Sequence, residues 1–205
     1  MNKKLLLLIL SDVLILSSFG LLAPIFAIFI TNNLEGGSIV AAGMATTIFL
    51  VVKSVIQLPL SRYFIDKEKH KTKSLLLGTL LIITVPFIYF FAKTVNTIFI
   101  AQAVYGLGAA LAYPSWFSLF TTYIDGKHRG FEYTLWGTGV GVGSAIAAVS
   151  GAKIAEMLGF RFLFFFVGVV AFLGFLLLIV LDRIEMKKRR NATTKNSVRR
   201  KKKRI

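Results

Sequence analysis

Two ionisable residues interrupt stretches that are otherwise apolar: Asp12 in the run 5–30 and Lys53 in the run 38–60. A charge at the centre of a bilayer costs about 2.5–3.5 kcal/mol on insertion scales, so each needs a physical reason to be there. Asp12 is eight residues beyond Lys4, about 12 Å along a helix, and Lys53 is nine residues before Arg62, about 13–14 Å. On antiparallel neighbours these positions share a depth, which would let the two side chains pair. The chemistry on offer is a carboxylate that carries a proton or cation, with the lysine setting its protonation. The competing reading is a structural ion pair, or a lysine that snorkels to the interface. Thr46, Lys53 and Gln57 fall within about 40° of one another on a helix, so that face should turn toward protein or water.

A second constellation lies in the run 97–123. Gln102, Tyr105, Gly106, Ala109, Tyr113 and Trp116 occupy roughly one 100° sector of a helix. Aromatic rings with polar tips along one face can line a cavity, stacking on a solute and donating hydrogen bonds. The alternative is that this face packs on a neighbouring helix.

Catalytic and metal chemistry finds no support. Cysteine is absent, and the two histidines, His70 and His128, stand beside lysines in connecting segments without metal-spaced partners. No paired carboxylates occur. Neither enzyme activity nor a cofactor is expected. The run 131–157 contains GVGVG but lacks the GK[ST] ending of a phosphate loop. Its small residues, including Gly137, Gly139, Gly141 and Gly143, instead form overlapping GxxxG pairs that let helix backbones approach closely. This helix should be wedged between neighbours.

The elements that carry these residues follow from the apolar runs. Of 205 residues, 56% are hydrophobic and 17% charged. A helix needs about 20 residues to cross a roughly 30 Å hydrocarbon core. Six segments meet or approach this: 5–30, 38–60, 74–91, 97–123, 131–157 and 160–181. None alternates with period two, which disfavours a β-barrel. The expected fold class is all-α, a polytopic membrane helical bundle with six transmembrane helices. The opening MNKKLLLLIL has the look of a signal peptide, but the apolar stretch runs on to residue 30 and contains Asp12, so a first transmembrane helix is expected.

Net charge is +16, and residues 183–205 carry twelve Lys/Arg against Glu185 alone. This low-complexity segment should be a disordered basic tail, leaving residues 1–182 as the transmembrane domain. Twenty-one basic residues fall on the side of the N-terminus and three on the other, Lys93, Lys153 and Arg161. The positive-inside rule then puts both termini in the cytoplasm. RNA recognition by the tail is not expected, because no aromatic residues interleave the charges.

Several segments resemble the major facilitator superfamily of transporters, in the order of one six-helix half. LPLSRYFIDKEKHK is similar to the family's first cytoplasmic loop signature, with Asp66 and Lys67 as its Asp-basic core and Lys69 and Lys71 as the trailing basic pair. QAVYGLGAALAYP resembles the fourth helix, although Gln102 stands where the family has a membrane arginine. HRG, with Arg129 and Gly130, matches the entry to the fifth helix. GVGVGSAIAA resembles the antiporter glycine motif, with Ser144 in place of its proline, and LGFRFLFFFVG is close to the turn into the sixth helix. The resemblance implies two three-helix inverted repeats, echoed by Ser61-x4-Asp66 and Gly151-x4-Glu156. It also implies a cavity lined by helices 1 and 4, and a cytoplasmic gate formed by Asp66, Lys67 and Arg129.

The function expected on these grounds is a half-size secondary active transporter in the cell (inner) membrane. It would move a small solute by alternating access, as a homodimer or with a second half-transporter. The second reading is a non-transporting membrane subunit or scaffold whose tail binds anionic lipid or a cytoplasmic partner.

Overall fold

The structure is a computed structural model that describes residues 2–62 and 70–202, with side chains through residue 187. Asp66 and Lys67 lie outside the described residues. The described chain is helical: α1 (Lys3–Gly20), α2 (Phe26–Asn33), α3 (Ile39–Leu60), α4 (Lys71–Phe91), α5 (Val95–Tyr123), α6 (Arg129–Leu158) and α7 (Phe160–Lys202). Five of these, α3 to α7, are long and apolar enough to cross a membrane.

The run 5–30, expected as one helix, is two. After Gly20 the backbone tightens into i→i+3 bonds, with Leu21 donating to Ser18 and Leu22 to Phe19. Pro24 follows, lacking an N–H and disfavouring helical geometry in the residue before it. Pro59, Pro86 and Pro114 are accommodated inside α3, α4 and α5. At the other end of the chain, α7 does not stop near residue 181. No Gly or Pro follows Gly174, and the helical backbone continues through the segment expected to be disordered, as far as Lys202.

Packing centres on α5, which lies against α3 and α4, and on α1, which lies against α6 and α7. The two groups meet where α4 packs on α7. Small residues set the spacing. A Cβ on Gly78 of α4 would lie 2.6 Å from the Gly108 carbonyl of α5, and one on Gly106 would lie 2.8 Å from the Phe49 carbonyl of α3. Neither pair of helices could approach as closely with a larger residue.

Helix α6 departs from expectation in an informative way. Gly139, Gly143, Ala147 and Gly151 recur every four residues on one face. A Cβ on Gly139 would stand 3.0 Å from Val13, and one on Gly143 or Gly151 would collide with Ser17 or with the Leu21 carbonyl. Gly137 and Gly141 lie on the other face and meet nothing within 4 Å. The helix does lie between α1 and α7, but one glycine face grips α1 while the face of Gly137 and Gly141 is open. The reason is angular, since positions two apart on a helix differ by about 200°.

At the end of the bundle that carries the N-terminus, Glu185 gathers three helices onto α7. Lys4 donates to its Oε1 at 2.8 Å, Thr72 donates to its Oε2 at 3.1 Å, and the Tyr123 hydroxyl also donates to Oε1. Lys4 also lies 5.2 Å from the Tyr123 ring centroid. At the opposite end, Glu35 and Thr94 form a backbone bridge between two connections.

The two glycine faces of α6 make a paired prediction. Gly151→Leu should destabilise the isolated bundle by about 1–3 kcal/mol or more, as overpacking does. Gly141→Leu should leave its thermal midpoint in detergent close to wild type.

Candidate functional site

Helices α1, α4, α5 and α7 enclose a cavity of about 30 Å³ around Asp12, Thr79, Tyr105, Tyr113 and Trp116. That is room for one or two waters. Residues from the first and fourth expected spans do converge. Tyr105, Tyr113 and Trp116 are brought to the cavity beside Asp12, whereas Gln102 is not among its lining residues. Gln102 is 5% exposed, and its Oε1 has no hydrogen-bond partner among the described residues.

Asp12 does not pair with Lys53. Its Oδ2 accepts a 2.7 Å hydrogen bond from Trp136 Nε1 of α6. Lys53 instead lies 4.2 Å from the centroid of the Tyr113 ring and 5.8 Å from that of Phe49. Such cation–π contacts are worth more when desolvated, at about 2 kcal/mol. The physical reason for the correction is topological. Helix α3 follows α1 in sequence but packs chiefly on α5 and α2, so a shared depth did not make the two charges neighbours. Thr46, expected to share the polar face of Lys53, is exposed, and its hydroxyl bonds back to the Ala42 carbonyl.

An aromatic cluster frames the cavity. Tyr105 stacks between Phe19 and Phe49, at centroid distances of 5.0 and 4.5 Å. Trp116 stacks on Phe120 at 4.8 Å and meets Trp136 at 4.9 Å, while its Nε1 donates to the Leu8 carbonyl at 3.4 Å. Two contributions were missed in the sequence: the walls from α4 and α7, and Trp136 itself. A signal for Trp136 existed, because it lies seven residues past Arg129, at nearly the depth of Asp12 past Lys4.

The connection between α5 and α6 is ordered by its own carboxylates. Glu132, 3% exposed, accepts from the Asp125 backbone N–H at 2.8 Å. Asp125 accepts from the Lys127 N–H at 3.1 Å and lies 3.2 Å from the His128 ring nitrogen. The Lys127 N–H, and then His128, hold the Asp125 carboxyl below its usual 3.8. Arg129, expected in the gate, opens α6 beside this turn.

A bundle of long apolar helices with polar groups buried among them defines an integral membrane protein. A family model described as Major Facilitator Superfamily matches residues 8–204, and the chain belongs to that superfamily. No curated protein matches it in sequence. The fold is similar to that of the POT family transporter PepTSo, with a TM-score of 0.76 and 16% identity over 89% of this chain and 38% of that one. It is also similar to a mutant POT peptide transporter in complex with alafosfalin (TM-score 0.75, 17% identity, 89% and 39%). An auto-inhibited POT family peptide transporter gives 0.73, 14%, 88% and 37%. The chain thus spans less than two-fifths of the length of those structures.

Removing the Asp12 donor tests the local geometry. Trp136→Phe should lower stability by about 1–3 kcal/mol, the cost of leaving a half-buried acceptor without its partner, read from thermal unfolding in detergent. The Asp125 turn has its own pH dependence. A depressed folded value stabilises the turn above the unfolded value of 3.8 and is lost as pH falls through the lower folded value. Amide exchange at Lys127 should therefore accelerate, relative to the intrinsic rate, only below about pH 3.8.

Proposed function

We propose that the chain is a half-size secondary active transporter that moves a small solute by alternating access, completed by a second copy or another six-helix body. The observation that carries this reading is the convergence of Asp12, Tyr105, Tyr113 and Trp116 on one cavity inside a membrane-spanning bundle. A cavity of about 30 Å³ is too small for a solute, so the binding space requires a second wall.

That wall would dock on α3 and α6. These helices are the least buried of the spans, and Gly43, Gly137 and Gly141 on them meet nothing within 4 Å. Small residues promote helix association in lipid. In this reading α1 and α2 together make a sixth crossing, and the six crossings form two inverted three-helix repeats. The packing supports the repeat: exchanging α1 with α5, α3 with α6 and α4 with α7 turns α1–α6 into α5–α3 and α1–α7 into α5–α4, and leaves α4–α7 unchanged.

Residues 1–182 are the transmembrane domain and 183–205 a basic cytoplasmic tail. Both termini face the cytoplasm, an orientation that the twenty-one basic residues against three support. Asp66 and Lys67 with Arg129 form the cytoplasmic gate. Asp12 is the coupling residue, held by Trp136 rather than by Lys53. Lys53 and Gln102 serve the solute path from its flanks.

The test is accumulation of labelled hexoses and small uncharged aromatic solutes in proteoliposomes under an imposed proton or sodium gradient. Wild type should accumulate one of them, and Asp12→Asn should lose most of the gradient-driven component while still inserting and folding, because an amide cannot carry the proton or cation. Undiminished accumulation by the variant would remove Asp12 from the mechanism. No accumulation by wild type would favour a non-transporting membrane subunit.

A further inference from the structure

A groove of about 410 Å³ opens at the end of the bundle opposite the N-terminus, lined by Asn33, Tyr89, Lys93, Gly159, Phe160 and Arg161 among others. Among the described residues only Lys93, Lys153 and Arg161 are basic residues of that end, and two of them converge here from positions 68 apart in sequence. Lys93 sits in the α4–α5 connection and Arg161 in the first turn of α7. Among the described residues neither makes an ion pair. The nearby carboxylates Glu35 and Glu156 come within ion-pairing distance of neither.

Three further features suit an anion. Gly159, at φ 84°, ends α6 and turns the chain directly into α7. The first-turn amides of α7 before Leu163 have no carbonyl four residues back within the helix, and such termini attract anions. Tyr89 is 3% exposed and lines the groove, and its hydroxyl makes no hydrogen bond with any described residue, the Ala92 N–H being bound by the Tyr89 backbone carbonyl. Its ring packs on Phe26 and Phe164 at 5.1 and 5.5 Å, which leaves the hydroxyl without a protein acceptor. Leu158 lines the groove and is strongly exposed, as are Phe91 and Met157, the sequence neighbours of lining residues, and these offer apolar surface to acyl chains.

We propose that this groove binds the phosphate of an anionic phospholipid of the adjoining leaflet between Lys93 and Arg161, with the Tyr89 hydroxyl and the α7 amides as additional donors. A lipid source is favoured over free phosphate because the cationic pair lies beside exposed apolar side chains. The site does not depend on the transport reading, since none of its residues lines the central cavity.

The experiment is native mass spectrometry of the full chain released from nanodiscs, with titrations of dioleoylphosphatidylglycerol, dioleoylphosphatidylcholine and glycerol 1-phosphate. One phosphatidylglycerol should be retained per chain, more tightly than phosphatidylcholine, and glycerol 1-phosphate should fail to displace it. Lys93→Gln with Arg161→Gln should weaken retention by on the order of tenfold or more, given the contribution of each basic residue near anionic lipid. Tyr89→Phe should weaken it several-fold with an unchanged thermal midpoint, and Lys153→Gln should have no effect. An equal loss in Lys153→Gln would show diffuse charge attraction and overturn the site. Equal retention of phosphatidylcholine would overturn the anionic assignment. Displacement by glycerol 1-phosphate would replace the lipid with a soluble phosphate.

Discussion

Lipid chains are as apolar as leucine, so apolar burial does little to drive one membrane helix onto another. The bundle must be held by close approach of backbones and by a few polar contacts, and its glycines mark where that happens. Helix α5 receives α3 at Gly106 and α4 at Gly108. Helix α1 receives α6 along Gly139, Gly143 and Gly151, and α7 packs on it at Gly174, where a Cβ would lie 2.7 Å from Ile15. These contacts bring α1, α4, α5 and α7 close enough for their side chains to enclose a cavity. The functional groups are thereby a consequence of the packing rather than a separate feature.

Each charge inside the bundle is compensated differently. Asp12 accepts from an indole N–H, Lys53 rests on an aromatic face, and Glu185 collects Lys4, Thr72 and Tyr123 at one end. The Glu185 cluster ties the ends of α1, α4, α5 and α7 together. Asp12 and Lys53 remain separate, each held by neutral partners. That arrangement leaves both charges available to something other than each other.

Periodicity and residue type revealed the apolar runs, the aromatic face of α5 and the importance of the α6 glycines, while the joining of Asp12 with that face was implied by the family resemblance. They did not reveal the partners. A helical wheel gives direction and depth for one helix, but which helix stands opposite depends on the three-dimensional arrangement. For that reason Lys53 was matched with Asp12, when α3 packs on α5 and the partner of Asp12 comes from α6. The same limit let all four glycines of α6 count as packing surface, although Gly137 and Gly141 face away from the chain's own helices. Pro24 was visible in the sequence, yet Pro59, Pro86 and Pro114 show that proline alone does not decide where a helix breaks. The close contact of Leu21 with Gly151 distinguishes that position.

We propose that this bundle is one wall of a transport path, completed across the open faces of α3 and α6 by a second copy or another six-helix body. The chain contains no cysteine, so single cysteines can report contacts between copies without background. Oxidative cross-linking in native membranes should join copies carrying cysteine at Gly141 or Gly43, and should not join copies carrying it at Phe172, on the exposed face of α7. Cross-linking at Phe172 alone would contradict the docking faces, and cross-linking at none of these positions would contradict completion by a second copy.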